Sequence, residues 1–436
     1  MLDLKKIISS IADAGQKLFK KSITKKNDLE ALITLCDDLL SNKGIVFGIT
    51  VARDITNLYQ ELSNENKLIF FKKINEKYKP DYIKVDIAIN NYNKSKNEKN
   101  LSKLFLASEG KRRELFRRMN IAPNGTAIIV KIREDLLKFV KKNQELTHLD
   151  NDLRHLFKAW FNPGFLKLEK ITWETKAIVL EKIIKYERVH QMNDISALKR
   201  RLGEDRRFFS YFHPALDDEP IIFVQVALTN GLGKSIQEIM KPNTEGEKKY
   251  DTATFYSISN CQEGLARVTL GHFLIKRVLY EIEEELPNIK KFGTLSPIPG
   301  FVDWFSYQDE NKIKSILGNS SGDVSFLKLA DLKIGDNRIT SNKDQITKLV
   351  AHYLINEKNQ DGFPIGDVTR FHLRNGAILD DIVINANLSE AGYKRSFGIM
   401  VNYLYEFKNI EKNHEDFVNN KKLIYSDAVK KYLNYK

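Results

Sequence analysis

The sequence predicts an all-helical N-terminal part followed by a mixed helix-and-sheet part of α/β or α+β type. Three observations carry that expectation. The 436 residues exceed what one ordinary core accommodates and suit two domains. Up to about His148, apolar residues recur at three- and four-residue spacing, as in LEALITLCDDLL and REDLLKFVKKNQEL, with few strand-like alternations. Beyond about Leu149, strand-like strings (FLKLEKITW, IIFVQVAL, TATFYSIS, GIMVNYLY) interleave with helical ones such as TKAIVLEKIIKYERVH. The boundary falls near residue 150 and divides 1–150 from 151–436.

Taken in order, the basic, amphipathic start MLDLKKIISSIADAGQKLFKKSITKK reads as a solvated first helix. Asp3, Asp13 and the scarcity of Arg and Ser argue against a transit peptide. KPDYIKVDIAINNYNKSKNEKN is Asn/Lys-rich and is expected to be a polar link between helices. A helix is expected around Glu109–Met119, then a turn at IAPNGTA, where Pro123 and Asn124–Gly125 supply turn geometry. PNTEGEKKYDT and DGFPIGD read as loops.

Composition excludes several classes of function. A 42% hydrophobic, 29% charged chain is globular, and no run nears the roughly 18–20 apolar residues that span a bilayer. Cys36 and Cys261 give neither a disulfide framework nor a zinc cluster, which fits a reducing compartment. The net charge of +13 is spread along the chain without aromatic interleaving, so no nucleic-acid partner is expected. A basic excess still favours polyanionic ligands.

The most informative stretch runs from Phe255 to Phe301: a strand, a glycine-punctuated turn, an amphipathic helix and a second strand. Such a unit aims backbone N–H groups and a helix dipole at an anion. In QEGLARVTLGH, Gly264 and Gly271 permit close approach and Arg267 can add a charge-assisted contact. The second strand ends at Ser296 in TLSPIPGF, where Pro297 restricts the serine to extended backbone. His372, in DVTRFHLRNGA, can exchange a proton near neutrality. Asp367 is a candidate N-cap and Gly376 a candidate C′ residue for a helix there; an extended reading also fits. No G-x-S-x-G elbow, HExxH, CxxC, Walker loop or GxGxxG is present, so no metal or nucleotide cofactor is expected.

LFKAWFNPGFLKLEKITW, LEKIIKYERVH, RRLGEDRRFFSYFHPALDDEPIIFVQVALT, FYSISNCQEGL, TLSPIPGF, FHLRNGA and SFGIMVNYLYE follow one another in order. From GKRRELFRRMNIAPNGTA onwards the chain resembles malonyl-CoA decarboxylase, over about three hundred residues. The resemblance implies an α+β protein: a helical self-association domain at 1–150, then a GNAT-like catalytic domain at 151–436. It implies conversion of malonyl-CoA to acetyl-CoA and CO2 with no metal or organic cofactor. By motif position, Ser296 and His372 are the catalytic residues. The loop Ala266, Arg267, Val268, Thr269, Leu270, Gly271 and His272 is the malonyl-CoA-binding segment. Asn375, as a holder of the histidine tautomer, Tyr256 and Ser259 are secondary candidates. The resemblance further implies a homo-oligomer, as a tetramer. A cytoplasmic, bacterial-type setting is expected, with a mitochondrial one second; the YLNYK end lacks a peroxisomal SKL signal. The alternatives are a GNAT-type acyltransferase and a non-catalytic acyl-CoA sensor.

Overall fold

Contacts divide the chain into two units. One comprises Met1–Lys167, Phe212–Glu219 and Gln262–Thr269; the other comprises Leu168–Tyr211, Pro220–Cys261 and Leu270–Lys436. The computed structural model describes residues 4–19, 29–41, 43–241, 250–268, 271–318 and 336–433. The expected loop PNTEGEKKYDT therefore lies mostly outside the described residues.

The first unit is helical, as the three- and four-residue spacing predicts. Leu29–Leu40 turns Leu32, Leu35, Cys36 and Leu39 inward, and Ile45–Glu61 buries Ile55 and Tyr59. The Tyr59 ring lies 5.6 Å from Phe70 and 6.1 Å from Phe71, both fully buried. Burying each such ring stabilises the fold by roughly 1.5–3 kcal/mol. One expectation fails here: the Asn/Lys-rich segment is not a link. It forms helices Tyr82–Lys94 and Glu98–Ser108. Each has a side-chain N-cap: Asp81 accepts from the Lys84 N–H and Asn97 from the Asn100 N–H. Those caps satisfy helix-end donors that a polar link would leave to water. The expected helix REDLLKFVKKNQEL also stops early, at Val140, before a 3₁₀ turn at Gln144–Leu146.

The second unit is built on a sheet of eight strands among the described residues: β1 Lys167–Lys170, β2 Arg206–Phe212, β3 Ile222–Thr229, β4 Thr252–Asn260, β5 Lys291–Thr294, β6 Ser296–Pro297, β7 Ile378–Val383 and β8 Met400–Tyr405. β2 and β7 lie outside the strings that read most clearly as strands. β2, β3 and β4 run antiparallel. β4 then pairs with β5 in parallel, and the helix Gly271–Glu285 makes the crossover. This is the strand–helix–strand unit expected from the sequence. β5 pauses at Leu295, whose N–H donates to the Phe255 carbonyl at 2.9 Å, and resumes as β6. β8 lies antiparallel to both β5 and β6 and carries β7 on its other edge. Alternation therefore puts Thr294 and Ser296 on one face, and Tyr403 and Tyr405 on one face of β8. Ala227, Tyr256, Leu295 and Met400 form part of the core of this sheet. Among the described residues no helix is long and apolar enough to cross a membrane.

Candidate active site

Ser296 opens the two-residue strand β6, opposite Val401 of β8. The ladder ends at Pro297, which lies opposite Met400 but has no N–H to donate, and Gly300 then turns the chain at φ +84°. His372 lies on the helix Asp367–Arg374, on the inward stripe with Thr369 and Leu373. The helical alternative is the one adopted. Its N-cap is Gly366 rather than Asp367, which is the first helical residue and pairs with Arg370 instead. Asn375 is the C-cap, and Gly376 follows at φ +82°, where a Cβ would sit 2.1 Å from the Ile410 carbonyl oxygen.

Residues 296 and 372 meet. Ser296 Oγ lies 2.9 Å from His372 Nε2 and donates to Thr294 Oγ1 at 2.8 Å. On the far edge of the ring, Nδ1 lies 2.8 Å from the Tyr405 hydroxyl. Tyr403 stacks on the imidazole, centroids 4.5 Å apart and planes inclined by 24°, and donates its own hydroxyl to Thr369 at 3.1 Å. Two tyrosines of β8 thus hold the ring, one by its face and one by its edge. Burial drives the His372 pKa down to about 3 and the Tyr405 pKa well above the usual phenol value. The pair is therefore a neutral imidazole and a neutral phenol across the physiological range.

A cavity of about 330 Å³ opens onto Ser296 and His372. Its walls are mostly apolar, with Val189, Ile222, Phe255, Ile258 and Phe371 among them. No lysine or arginine lines it among the described residues, and Asp367 is its one carboxylate.

Two secondary candidates belong to a neighbouring buried network. Tyr256 lines the cavity and donates to Gln225 Oε1 at 3.0 Å. Ser259 donates to Glu187 Oε1 at 3.3 Å and does not line the cavity. Glu187 also accepts from Ser257 at 2.8 Å, from the N–H groups of Val189 and His190, and from Gln225. These bonds brace β4 against the segment that supplies Val189. Asn375 does not hold the histidine tautomer. Its amide donates to the Phe371 carbonyl at 2.7 Å, as the last turn of a helix requires, and Tyr405 occupies Nδ1.

The expected coenzyme loop divides between the units. Ala266 and Arg267 are exposed and Val268 is buried, following a 3₁₀ turn at Glu263–Leu265 in the helical unit. Arg133, itself fully buried, donates to the Gly264 carbonyl at 2.5 Å. A Cβ on Gly264 would sit 2.0 Å from the Val130 carbonyl oxygen, so only glycine fits there. Arg267 adopts φ +61°. Thr269 and Leu270 lie outside the described residues; Gly271 and His272 open the crossover helix, their side chains undescribed.

Sequence reasoning missed Thr294, Tyr403 and Tyr405. Their signal was the two-residue period of GTLS and MVNYLY, which places each pair on one face without saying which face meets the histidine.

The family model for the malonyl-CoA decarboxylase C-terminal domain matches residues 164–436, and that for the N-terminal domain matches 78–161. The mitochondrial malonyl-CoA decarboxylase of Anser anser anser is 33% identical over 349 residues, covering 74% of this chain and 69% of the relative. That of Mus musculus is 32% identical over 344 residues, covering 73% and 70%. The crystal structure of malonyl-CoA decarboxylase from Rhodopseudomonas palustris superposes with a TM-score of 0.87 at 39% identity, covering 93% of this chain and 99% of that one. The enzyme from Agrobacterium vitis gives 0.84 at 37% identity, covering 93% and 100%. With both family models matched in order across most of its length, the chain belongs to the malonyl-CoA decarboxylase family.

Proposed function

We propose that the Ser296–His372 cleft converts malonyl-CoA to acetyl-CoA and CO2, with the malonyl group in the cavity between β4, β6 and the helix Asp367–Arg374. The supporting observation is a neutral, fully buried imidazole bonded to a serine at the wall of an apolar cavity. Loss of CO2 sends the electron pair of the breaking C–C bond into the thioester, giving an enolate, so the substrate supplies its own electron sink and no cofactor is called for. A carboxylate held where, among the described residues, no lysine or arginine lines the wall gains little stabilisation of its charge, which favours its departure as neutral CO2. The α-carbon then takes the Ser296 proton while Nε2–H refills the serine and the Tyr405 proton moves to Nδ1. One solvent proton, entering at Ser296 from the cavity, drives the relay back (serine to Nε2, Nδ1 to the tyrosine), which resets the starting tautomer and balances the charge lost with the carboxylate. Because Nε2 faces Ser296, the histidine acts through the serine rather than directly.

The loop Ala266–His272 is assigned to the coenzyme moiety by motif position, with Arg267 as its exposed cation. We assign self-association, as a tetramer, to the helical unit. Its hairpin Tyr82–Lys94/Glu98–Ser108 buries only Ala88 and exposes Ile83 at 75%, Phe105 at 65% and Leu106 at 67%. Apolar surface of that kind is characteristic of an interface. A cytoplasmic location is assigned with it.

The deciding experiment is incubation with malonyl-CoA in deuterium oxide with a chelator present. Acetyl-CoA bearing one deuterium on its methyl group, with CO2 and without an amine acceptor, is expected. Absence of acetyl-CoA would sink the reading, and acyl transfer to an added amine would favour a transferase.

A further inference from the structure

We propose that Thr294 is a positioning residue that selects the tautomer of His372 by holding the proton of Ser296. The catalytic consequence rests on the decarboxylase reading; the tautomer assignment does not. Thr294 is fully buried at the end of β5, and its carbonyl receives the Asn402 amide at 2.7 Å. Its Oγ1 accepts from Ser296 Oγ at 2.8 Å and from the Tyr403 N–H at 3.3 Å. A serine hydroxyl has one proton, and here Thr294 takes it. The 2.9 Å contact between Ser296 Oγ and Nε2 then requires the ring to donate. A neutral imidazole carries one N–H, so Nδ1 is bare and accepts the Tyr405 O–H at 2.8 Å. Every proton from Tyr405 through His372 and Ser296 to Thr294 points the same way.

This direction matters. With its proton on Nε2, the imidazole cannot take the serine's proton, so Ser296 is not primed to attack the thioester. The same Nε2–H is available to refill the serine once a carbanion has taken its proton. Without an acceptor at 294 the serine would turn its O–H to Nε2, the ring proton would sit on Nδ1, and Tyr405 would become the acceptor. The hydroxyl of one threonine therefore separates an acid pair from a nucleophile pair.

The test is ¹⁵N NMR of histidine-labelled protein, with the His372 signals identified by their loss in His372→Asn. In the wild type, Nε2 is expected to carry the proton. In Thr294→Val the proton is expected to move wholly or partly to Nδ1, with kcat lowered at least about tenfold and KM within about threefold. Thr294→Ser, which keeps the hydroxyl, is expected to restore both. A wild-type proton on Nδ1, or a valine variant with the wild-type tautomer, overturns the proposal. Should the valine variant fail to fold, the wild-type spectrum alone still decides. A wild type with the Nε2 proton but no acetyl-CoA production would sink the decarboxylase reading and leave the role of Thr294 standing.

Discussion

Each unit holds a buried polar cluster, and the two clusters are built in opposite ways, although the sheet unit also buries ions elsewhere, among them Arg206 with Asp205 and the Glu187 carboxylate. In the helical unit's cluster the groups are ions. Arg133 meets Asp150 at 2.7 Å, and Asp135 accepts from Lys67, Lys138 and the Tyr59 hydroxyl. Burial pushes the Asp135 carboxyl up, but hydrogen bonds from Lys138 and Lys67 override it and hold the group below its usual range. In the sheet unit, the chain Tyr405–His372–Ser296–Thr294 contains no ion. Buried charges must be paired, and pairing fixes each proton where it is. Neutral donor–acceptor chains leave protons free to move between partners of similar kind. The first arrangement is a clamp and the second a relay.

The largest expected effect tests the relay. His372→Asn should lower kcat by roughly 10²–10⁴-fold and leave coenzyme binding near normal, as loss of a general acid does. Turnover within threefold of the wild type would show that the neutral chain is scaffolding. The matching change in the clamp is Asp150→Ala, which strands the Arg133 guanidinium in a buried site where Nη2 already has no partner. Breaking such a pair typically costs about 3–5 kcal/mol, so the denaturant midpoint should drop sharply. A shift of under about 1 kcal/mol would mean that the ion pair does not clamp the helices.

What the sequence revealed divides along the same line. Spacing alone located the helical unit, the strand–helix–strand unit and the turn at Ser296, because periodicity and turn chemistry are local. Pairing Ser296 with His372 needed the family resemblance, since the two are 76 residues apart and no period links them. Tyr405 and Thr294 escaped for a related reason: alternation assigns a face, whereas contact with the histidine is set by which strands flank β8. The hairpin Tyr82–Lys94/Glu98–Ser108 was misread because its polar composition hid two helices, although Asp81 and Asn97 stood in capping positions.

Acid should separate the two units. His372 and His190 are lowered by burial to about 3 and about 4, so the unfolded chain binds more protons than the native one below the ordinary value of 6.5. Their stabilisation is complete above pH 6.5 and is lost as pH falls toward those values, at roughly 1.4 kcal/mol per pH unit for each ring. The lowered Asp135 contributes with the usual carboxylate sign: its stabilisation is present above pH 3.8 and lost only as pH falls below that. His213, half-buried, is the one histidine of the helical unit shifted downward among the described residues. Between pH 6.5 and 4, hydrogen exchange should therefore rise first in the sheet unit, and His372→Asn should remove part of that slope, the rest being carried by His190 and by His352, which burial also lowers. Equal acid sensitivity in the two units would break the contrast.

The finest comparison uses two tyrosines with the same chemistry and different acceptors. Tyr59 donates to the Asp135 carboxylate at 3.2 Å, and Tyr405 meets the His372 ring nitrogen at 2.8 Å. Replacing either by Phe removes one hydroxyl and should cost about 1 kcal/mol of stability, the ordinary net worth of such a bond. Activity should then part them. Tyr59→Phe is expected to leave kcat unchanged, because Asp135 keeps its two lysines. Tyr405→Phe leaves Nδ1 bare and cuts the source of the returning proton, so kcat should fall about tenfold with little change in KM. Since His372 is neutral from about pH 4 upward, the residual activity should stay level from pH 6 to 9 rather than follow an imidazole titration. A kcat loss shared equally by both variants would trace the effect to stability and remove the distinction between clamp and relay.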